Sequence, residues 1–358
     1  MNLQLWQDLE YTYKKLTEAE REKLSGSTLL ITGAAGFLGY YWTRFFERYQ
    51  AELHLKRVIC LDDFILGTPE WVSRQASDSV LLWQSFDVAR DDISRVSFAE
   101  EADFVIHMAS IASPTFYRKY PIETLDANVW GLRRLLDYYR NRPVKGVLFF
   151  SSSEIYGDPA PEAIPTPESY CGNVSATGPR ACYDEAKRFG ETLCALFSQV
   201  YHMPISVVRP FNNYGPGMSL EDRRVPADFA KCVLTGRDIR ILSNGRPTRT
   251  FCYIADAVAG YLKALLHGTY DYFNIGIETP EISIEELAAI FQKAGRELFG
   301  YQGVISYAMS EDQHYLTDNP QRRCPDITKA RTILGYEPEI DVDEGVARFL
   351  RFWKGESA

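Results

Sequence analysis

Thr28-Leu29-Leu30-Ile31-Thr32 runs directly into Gly33-Ala34-Ala35-Gly36-Phe37-Leu38-Gly39, and an apolar-sided segment carrying Leu38, Trp42, Phe45 and Phe46 follows. The short apolar run reads as a buried parallel strand, and the later spacing reads as a helix. Between them, Gly33, Gly36 and Gly39 recur every third position. A turn of this kind bends sharply and lets backbone come close to a pyrophosphate, where side chains would obstruct. The helix that follows offers free N–H groups and a favourable dipole to the same anion. Ala35, Phe37 and Leu38 belong to this predicted cradle. Asp62 ends the next apolar run, Arg57-Val58-Ile59-Cys60-Leu61-Asp62. A carboxylate there can accept both hydroxyls of an adenosine ribose and would repel a 2′-phosphate, which favours NAD over NADP. An N-cap or loop aspartate is the plainer alternative. Asp63 can share the role, and Asp87-Val88 suits the adenine edge.

Further runs at 80–83, 103–107, 144–151 and 204–209 complete six expected strands, with helical patterns between several of them. Alternating strands and helices predict an α/β fold: a Rossmann-type doubly wound parallel sheet. Near residue 209 the alternation breaks at the turn-rich Asn212-Asn213-Tyr214-Gly215-Pro216-Gly217. The expected division is a dinucleotide-binding domain over 27–208, with 249–278 returning to it. A smaller C-terminal lobe takes 209–248 and 279–358. Residues 3–24 read as an amphipathic helical extension within 1–26, and Thr17-Glu18-Ala19-Glu20 resembles a capping box that would split it in two.

Composition narrows the function. The 358 residues carry a net charge of −9 with no long basic run, which argues against nucleic acid or an anionic membrane as the main partner. No stretch of apolar residues is long enough for a membrane span, and the N-terminus does not read as a signal peptide. The seven cysteines are scattered and odd in number, which predicts reduced thiols and a cytoplasmic protein. The five histidines, His54, His107, His202, His267 and His314, show no ligand-like spacing, so no metal is expected.

Tyr183 and Lys187 stand four residues apart, one helical turn. A phenol of pKa ~10 is a poor base near neutrality, and a neighbouring ammonium and a cationic nicotinamide ring both favour its phenolate. Tyr-x-x-x-Lys is common by chance among 22 tyrosines, so context matters. Ser151-Ser152-Ser153-Glu154 closes the fifth predicted strand, at the sheet edge where such folds bind ligands. Ser152 or Ser153 can hydrogen-bond a sugar hydroxyl beside Tyr183. Glu154 is a candidate acid or base, with a solvated loop glutamate as the alternative.

Several stretches resemble the extended short-chain dehydrogenase/reductase family, in its nucleotide-sugar branch, and most of all the members that decarboxylate UDP-glucuronate. They include His107-Met108-Ala109-Ser110-Ile111-Ala112-Ser113-Pro114, Ser153-Glu154-Ile155-Tyr156-Gly157-Asp158-Pro159 and Gly178-Pro179-Arg180-Ala181-Cys182-Tyr183-Asp184-Glu185. Thr248-Arg249-Thr250-Phe251 and Asp318-Asn319-Pro320-Gln321-Arg322-Arg323 continue the likeness. The resemblance implies an NAD-dependent lyase that converts UDP-glucuronate to UDP-xylose through a C4 ketone. Tyr183 would be its base and Lys187 the partner of that base. Ser152 and Ser153 would orient the sugar, and Glu154 would assist at its ring. It further implies Met108, Ala109, Ser110, Asn128, Ser151 and Pro210 at the cofactor, and Ser113 and Tyr117 at the substrate. Arg249 would sit near the carboxylate or diphosphate, with Asn212, Arg224 and Arg323 on the diphosphate. For the arginines, surface ion pairs are the alternative. A homodimer through helices at about 122–141 and 181–201 is implied too. Two departures stand out: Asp126 where those decarboxylases have lysine, and Gly217 where they have arginine. They keep open a C4 oxidoreductase, epimerase or 4,6-dehydratase of another nucleotide sugar. A cofactor-binding scaffold without catalysis is the reading from a different class.

Overall fold

The computed structural model describes residues 2–74, 79–310 and 317–356. His314 lies outside the described residues. Seven strands form one sheet: β1 (Thr28–Thr32), β2 (Arg57–Asp62), β3 (Leu81–Ser85), β4 (Phe104–His107), β5 (Gly146–Phe150), β6 (Ile205–Pro210) and β7 (Asp271–Ile275). Their order is β7-β6-β5-β4-β1-β2-β3, and every pairing is parallel. This is the doubly wound sheet predicted from the alternating pattern. All five residues of β1 are buried, because helices cover both faces. Leu29 and Ile31 enter one core and Leu30 the other.

The helices that matter to the site are α1 (Leu3–Lys15), α2 (Glu18–Leu24), α3 (Phe37–Tyr49), α4 (Leu132–Tyr139), α5 (Ala181–Tyr201), α6 (Val225–Leu234), α7 (Ile254–Leu265), α8 (Ile284–Phe299) and α9 (Val342–Glu356). In the N-terminal extension the capping box forms at Thr17 and Glu20 and separates α1 from α2. Leu5, Leu9, Leu16 and Leu24 all join the larger core.

The chain after β6 builds short elements over the carboxyl edge of the sheet. Thr248–Arg249 pairs antiparallel with Ile282–Ser283 and parallel with Arg322–Arg323. That register sets Arg249 directly beside Arg323. Like charges in adjacent positions repel, so this small sheet needs an anion next to it.

Candidate active site

One continuous cavity of about 1260 Å³ runs along the carboxyl edge of the sheet, under the elements that follow β6. Every predicted site residue lines it except Asn128 and Tyr117. At one end is the glycine turn. Gly33 has φ +73°, and a side chain there would meet the backbone nitrogen of Ala109 at 2.6 Å. A Cβ on Gly39 would come within 2.2 Å of the Ala34 carbonyl oxygen. These two glycines let α3 and the end of β4 close around the turn. Gly36 opens α3 without a side-chain cap, so the first-turn N–H groups are left for a ligand. The Asp62 carboxylate accepts from the backbone N–H of Ala35 and of Phe64, both at 2.9 Å, and burial raises its pKa. It therefore stiffens the turn while keeping lone pairs for a ribose. The cradle fits a dinucleotide.

Tyr183 and Lys187 lie on the first turns of α5, facing the end of β5. Lys187 Nζ donates to the Phe150 carbonyl at 2.6 Å and lies 5.5 Å from the centre of the Tyr183 ring. Burial draws Lys187 down to about 7. Burial also pushes the Tyr183 hydroxyl up to about 12, against a hydrogen bond with Ser152 that lowers it. Held this high, the phenol is an acid, and it needs a further cation beside it to become a base.

Beyond Tyr183 lies a group of charges. Arg323 grips Glu154 with both terminal nitrogens, at 2.7 and 2.5 Å, and Arg180 donates to the same carboxylate. Burial alone would raise Glu154, but Arg180 and Arg323 more than reverse that and hold it at about 2. The predicted acid or base is thus an anion at neutral pH. Among the described residues no carboxylate is paired with Arg249. It donates to the carbonyls of Thr248, Gln321 and Pro320 and to the Asn319 side chain. Burial and the neighbouring Arg323 depress it to about 9. Asp184 touches Arg180 at 3.4 Å, and burial raises it to about 7. Three guanidinium groups therefore face one firmly ionised carboxylate.

Several predicted residues do something else in this structure. Arg323, expected on a diphosphate, is bound to Glu154, because its strand ends beside the Ser153–Tyr156 turn. Tyr117 is buried behind Tyr183, its ring stacked 5.3 Å away at 13°, and it does not reach the cavity. Asn128 is buried and holds the Ser110 hydroxyl at 2.8 Å from behind. The Ser151 hydroxyl donates to Glu191 at 2.6 Å, although the residue still lines the cavity. Arg224 lines the cavity but is paired with Asp222 at 2.5 and 2.8 Å. Asn212 donates to the Thr250 carbonyl, and the Ser113 hydroxyl donates to the carbonyl of Asp222. Arg180 is a site residue that carried no assigned role, although it lies in the stretch Gly178–Glu185 that holds Tyr183. No group of histidine, cysteine, aspartate and glutamate suited to a metal occurs among the described residues, and no described helix is long and apolar enough to cross a membrane.

A model of the NAD dependent epimerase/dehydratase family matches residues 29–276. The chain is 33% identical to UDP-glucuronic acid decarboxylase 1 of Xenopus tropicalis over 347 residues, 96% of this chain and 75% of that protein. It is 34% identical to UDP-glucuronic acid decarboxylase 5 of Arabidopsis thaliana over 326 residues, 90% of this chain and 88% of that one. Among solved structures, UDP-glucose 4-epimerase of Thermotoga maritima with UDP-glucose superposes with a TM-score of 0.79 at 24% identity, covering 92% of this chain and 100% of that one. UDP-glucuronic acid 4-epimerase of Bacillus cereus, in complex with UDP-glucuronic acid and NAD, gives 0.73 at 24%, covering 91% and 99%.

Proposed function

The chain belongs to the NAD dependent epimerase/dehydratase family, and on that premise we propose that it decarboxylates UDP-glucuronate to UDP-xylose. The observation that carries this reading is the charge excess of Arg180, Arg249 and Arg323 over the two carboxylates beside them, Glu154 and Asp184, near Tyr183. A neutral hexose gives such a group nothing to bind, whereas the C5 carboxylate of a glucuronate does. The charges absent at Asp126 and Gly217 are supplied here instead. Gly217 has φ +95°, and a Cβ there would press within 2.7 Å of Tyr40, so this loop position is closed to an arginine in this fold.

Gly33, Gly36, Gly39 and the N-terminus of α3 would hold the pyrophosphate of the cofactor, and Asp62 its adenosine ribose, so NAD is favoured over NADP. Bound NAD supplies the reversible oxidation at C4 and a positive charge beside Tyr183. That charge, with the Lys187 ammonium, opposes the burial that keeps the phenol protonated. Tyr183 then takes the proton of the C4 hydroxyl, which Ser152 orients. With C4 at the ketone level, the C5 carboxylate is β to a carbonyl. The electrons of its bond to C5 pass into that carbonyl as carbon dioxide leaves, and the Tyr183 hydroxyl faces the resulting enolate oxygen; a proton then replaces the carboxylate at C5, and reversal of the C4 oxidation, with the Tyr183 proton returned to the C4 oxygen, gives the pentose. Arg249, which has no carboxylate partner among the described residues, binds the departing group. Glu154 stays ionised and fixes Arg323 and Arg180 around it. We assign 27–208 with 249–278 to the cofactor domain and 209–248 with 279–358 to the substrate lobe. We also assign the chain to a reducing cytoplasm, which suits its seven free thiols, and to a homodimer.

The test is incubation of the NAD-loaded protein with UDP-glucuronate, read by mass spectrometry and proton NMR. Loss of carbon dioxide with a UDP-pentose is expected, and Tyr183→Phe should lower turnover by roughly 10²–10⁴-fold while keeping its NAD. An isomer of unchanged mass would replace this reading with epimerisation. Activity that survives Tyr183→Phe would reject the assignment of the base.

A further inference from the structure

Two separate segments must meet for this chemistry: α5, which carries Tyr183 and Lys187, and the turn after β5, which carries Ser152, Ser153 and Glu154. Gly190 lets α5 lie directly on β5, since a Cβ there would come within 2.4 Å of the Phe149 ring. The rest of the buried face of α5 packs through Leu193, Cys194 and Phe197, apolar contacts that carry little direction, so a hydrogen-bonded contact can fix the helix against the turn after β5 more sharply. Arg209, on β6, is placed to do so. Its Nε and Nη2 donate to the two oxygens of Glu191, at 2.9 and 2.6 Å, and Glu191 lies one turn beyond Lys187 on α5. Its Nη1 donates to the Tyr156 hydroxyl at 2.7 Å and to the Glu168 carbonyl at 2.8 Å. Tyr156 ends the short turn Ser153–Tyr156, and its hydroxyl in turn donates to Asn274 of β7 at 2.7 Å. Glu191 also receives the Ser151 hydroxyl at 2.6 Å. Arg209 is buried, at 6% exposure, so these bonds are sheltered from solvent.

We propose that Arg209 is a positioning residue that fixes the distance between the base on α5 and the serine-glutamate turn after β5. It touches no reacting atom. It acts through Glu191 on one side and Tyr156 on the other, and a lysine cannot reach both with the same planar fork. The inference rests on the proposed chemistry at the sugar C4, and it predicts a loss in the chemical step rather than in binding.

The experiment compares the NAD-loaded protein with its Arg209→Lys and Tyr156→Phe variants, each normalised to folded, NAD-containing molecules. The substrates are UDP-glucuronate and its C4-deuterated form. A misplacement of about 1 Å can cost ~10²-fold. Arg209→Lys is therefore expected to lower kcat about 10- to 100-fold, with KM within about twofold and a larger deuterium effect on kcat. Tyr156→Phe keeps the ion pair and the ring volume, and should lower kcat a few-fold in the same pattern. If both variants melt earlier but keep kcat and the isotope effect per folded molecule, Arg209 is only structural and the proposal falls. Should Arg209→Lys not fold, Tyr156→Phe decides by the same two readouts. If the unaltered protein leaves UDP-glucuronate unchanged, the substrate reading fails alone. The variants are then compared on UDP-glucose, through the absorbance of bound reduced cofactor, with the same two outcomes.

Discussion

Glu154 couples the charge of the site to its stability. Its folded pKa of about 2 lies below the ordinary 4.5. A depressed acid contributes stability that is fully present above about 4.5 and is lost as pH falls through 2. The ion pairs with Arg180 and Arg323 are the source of that stability. Glu154→Gln removes the anion and leaves Arg180, Arg249 and Arg323 facing one another. The variant should therefore unfold at lower urea near pH 7, and its deficit should hold down to about pH 4.5 and shrink from there toward pH 2 as the parent loses the same charge. A deficit that stays constant from pH 7 to pH 2 would show that the ion pairs do not stabilise this site. The residues themselves were only partly legible. Tyr183, Lys187, Ser152 and Glu154 carry their chemistry in type and spacing, so sequence alone brought them together. Arg323 did not, because its partner lies 169 positions away and only the register of two-residue strands puts it there. Arg209 and Glu191 were invisible as a pair for the same reason, since an arginine at a strand end has no local signature.

At the scale of elements, the sheet was legible where strands are continuous apolar runs, as in β1, β2 and β5. Strand β7 was not among the six expected strands, because Asp271 and Asn274 interrupt its apolar pattern. Asn274 is tolerated at full burial because its side chain bonds the Tyr156 hydroxyl and the carbonyls of Thr166 and Asp326. The paired strands outside the large sheet are two or three residues long, too short for any period to register. The extension was legible down to its capping box, but not in what it holds. On α1, Asp8 is fully buried and accepts from Tyr253 at 2.6 Å, Arg348 at 3.0 Å and Gln4 at 3.1 Å. It thereby ties α1 to the strand before α7 and to α9. Asp8→Ala strands the buried donors of Tyr253 and Gln4 and takes one of two carboxylate partners from Arg348, and we expect a loss of ~2–4 kcal/mol by urea unfolding. Activity per folded molecule should stay unchanged, since none of these groups reaches the sugar site. An unaltered unfolding midpoint would mean that α1 is not anchored through Asp8.

For the whole molecule, the apolar surface that remains uncovered is concentrated where a second copy would fit. Phe189, Leu196 and Val200 on α5 are 50%, 50% and 61% exposed. Their spacing of seven and eleven residues keeps them on one face of the helix. Ile122 and Trp130, 63% and 58% exposed, come from the helical stretch that precedes α4 and packs along α5. Two helices sharing one apolar face form half of a four-helix bundle, and a two-fold partner presenting the same face completes it. A stable interface removes ~800 Å² from each partner, and side chains of this size spread over two helices can supply it. A dimer is therefore expected by light scattering, and Leu196→Glu, which places a charge in the middle of the α5 stripe, should give a folded monomer. The same face is the outer side of the helix that carries Tyr183 and Lys187, so dimerisation would clamp α5 from outside as Arg209 clamps it from within. The monomeric variant should accordingly lose kcat more than it loses affinity for the nucleotide sugar. A parent protein that is monomeric at micromolar concentration, or a Leu196→Glu variant that stays dimeric, would move the contact to another face.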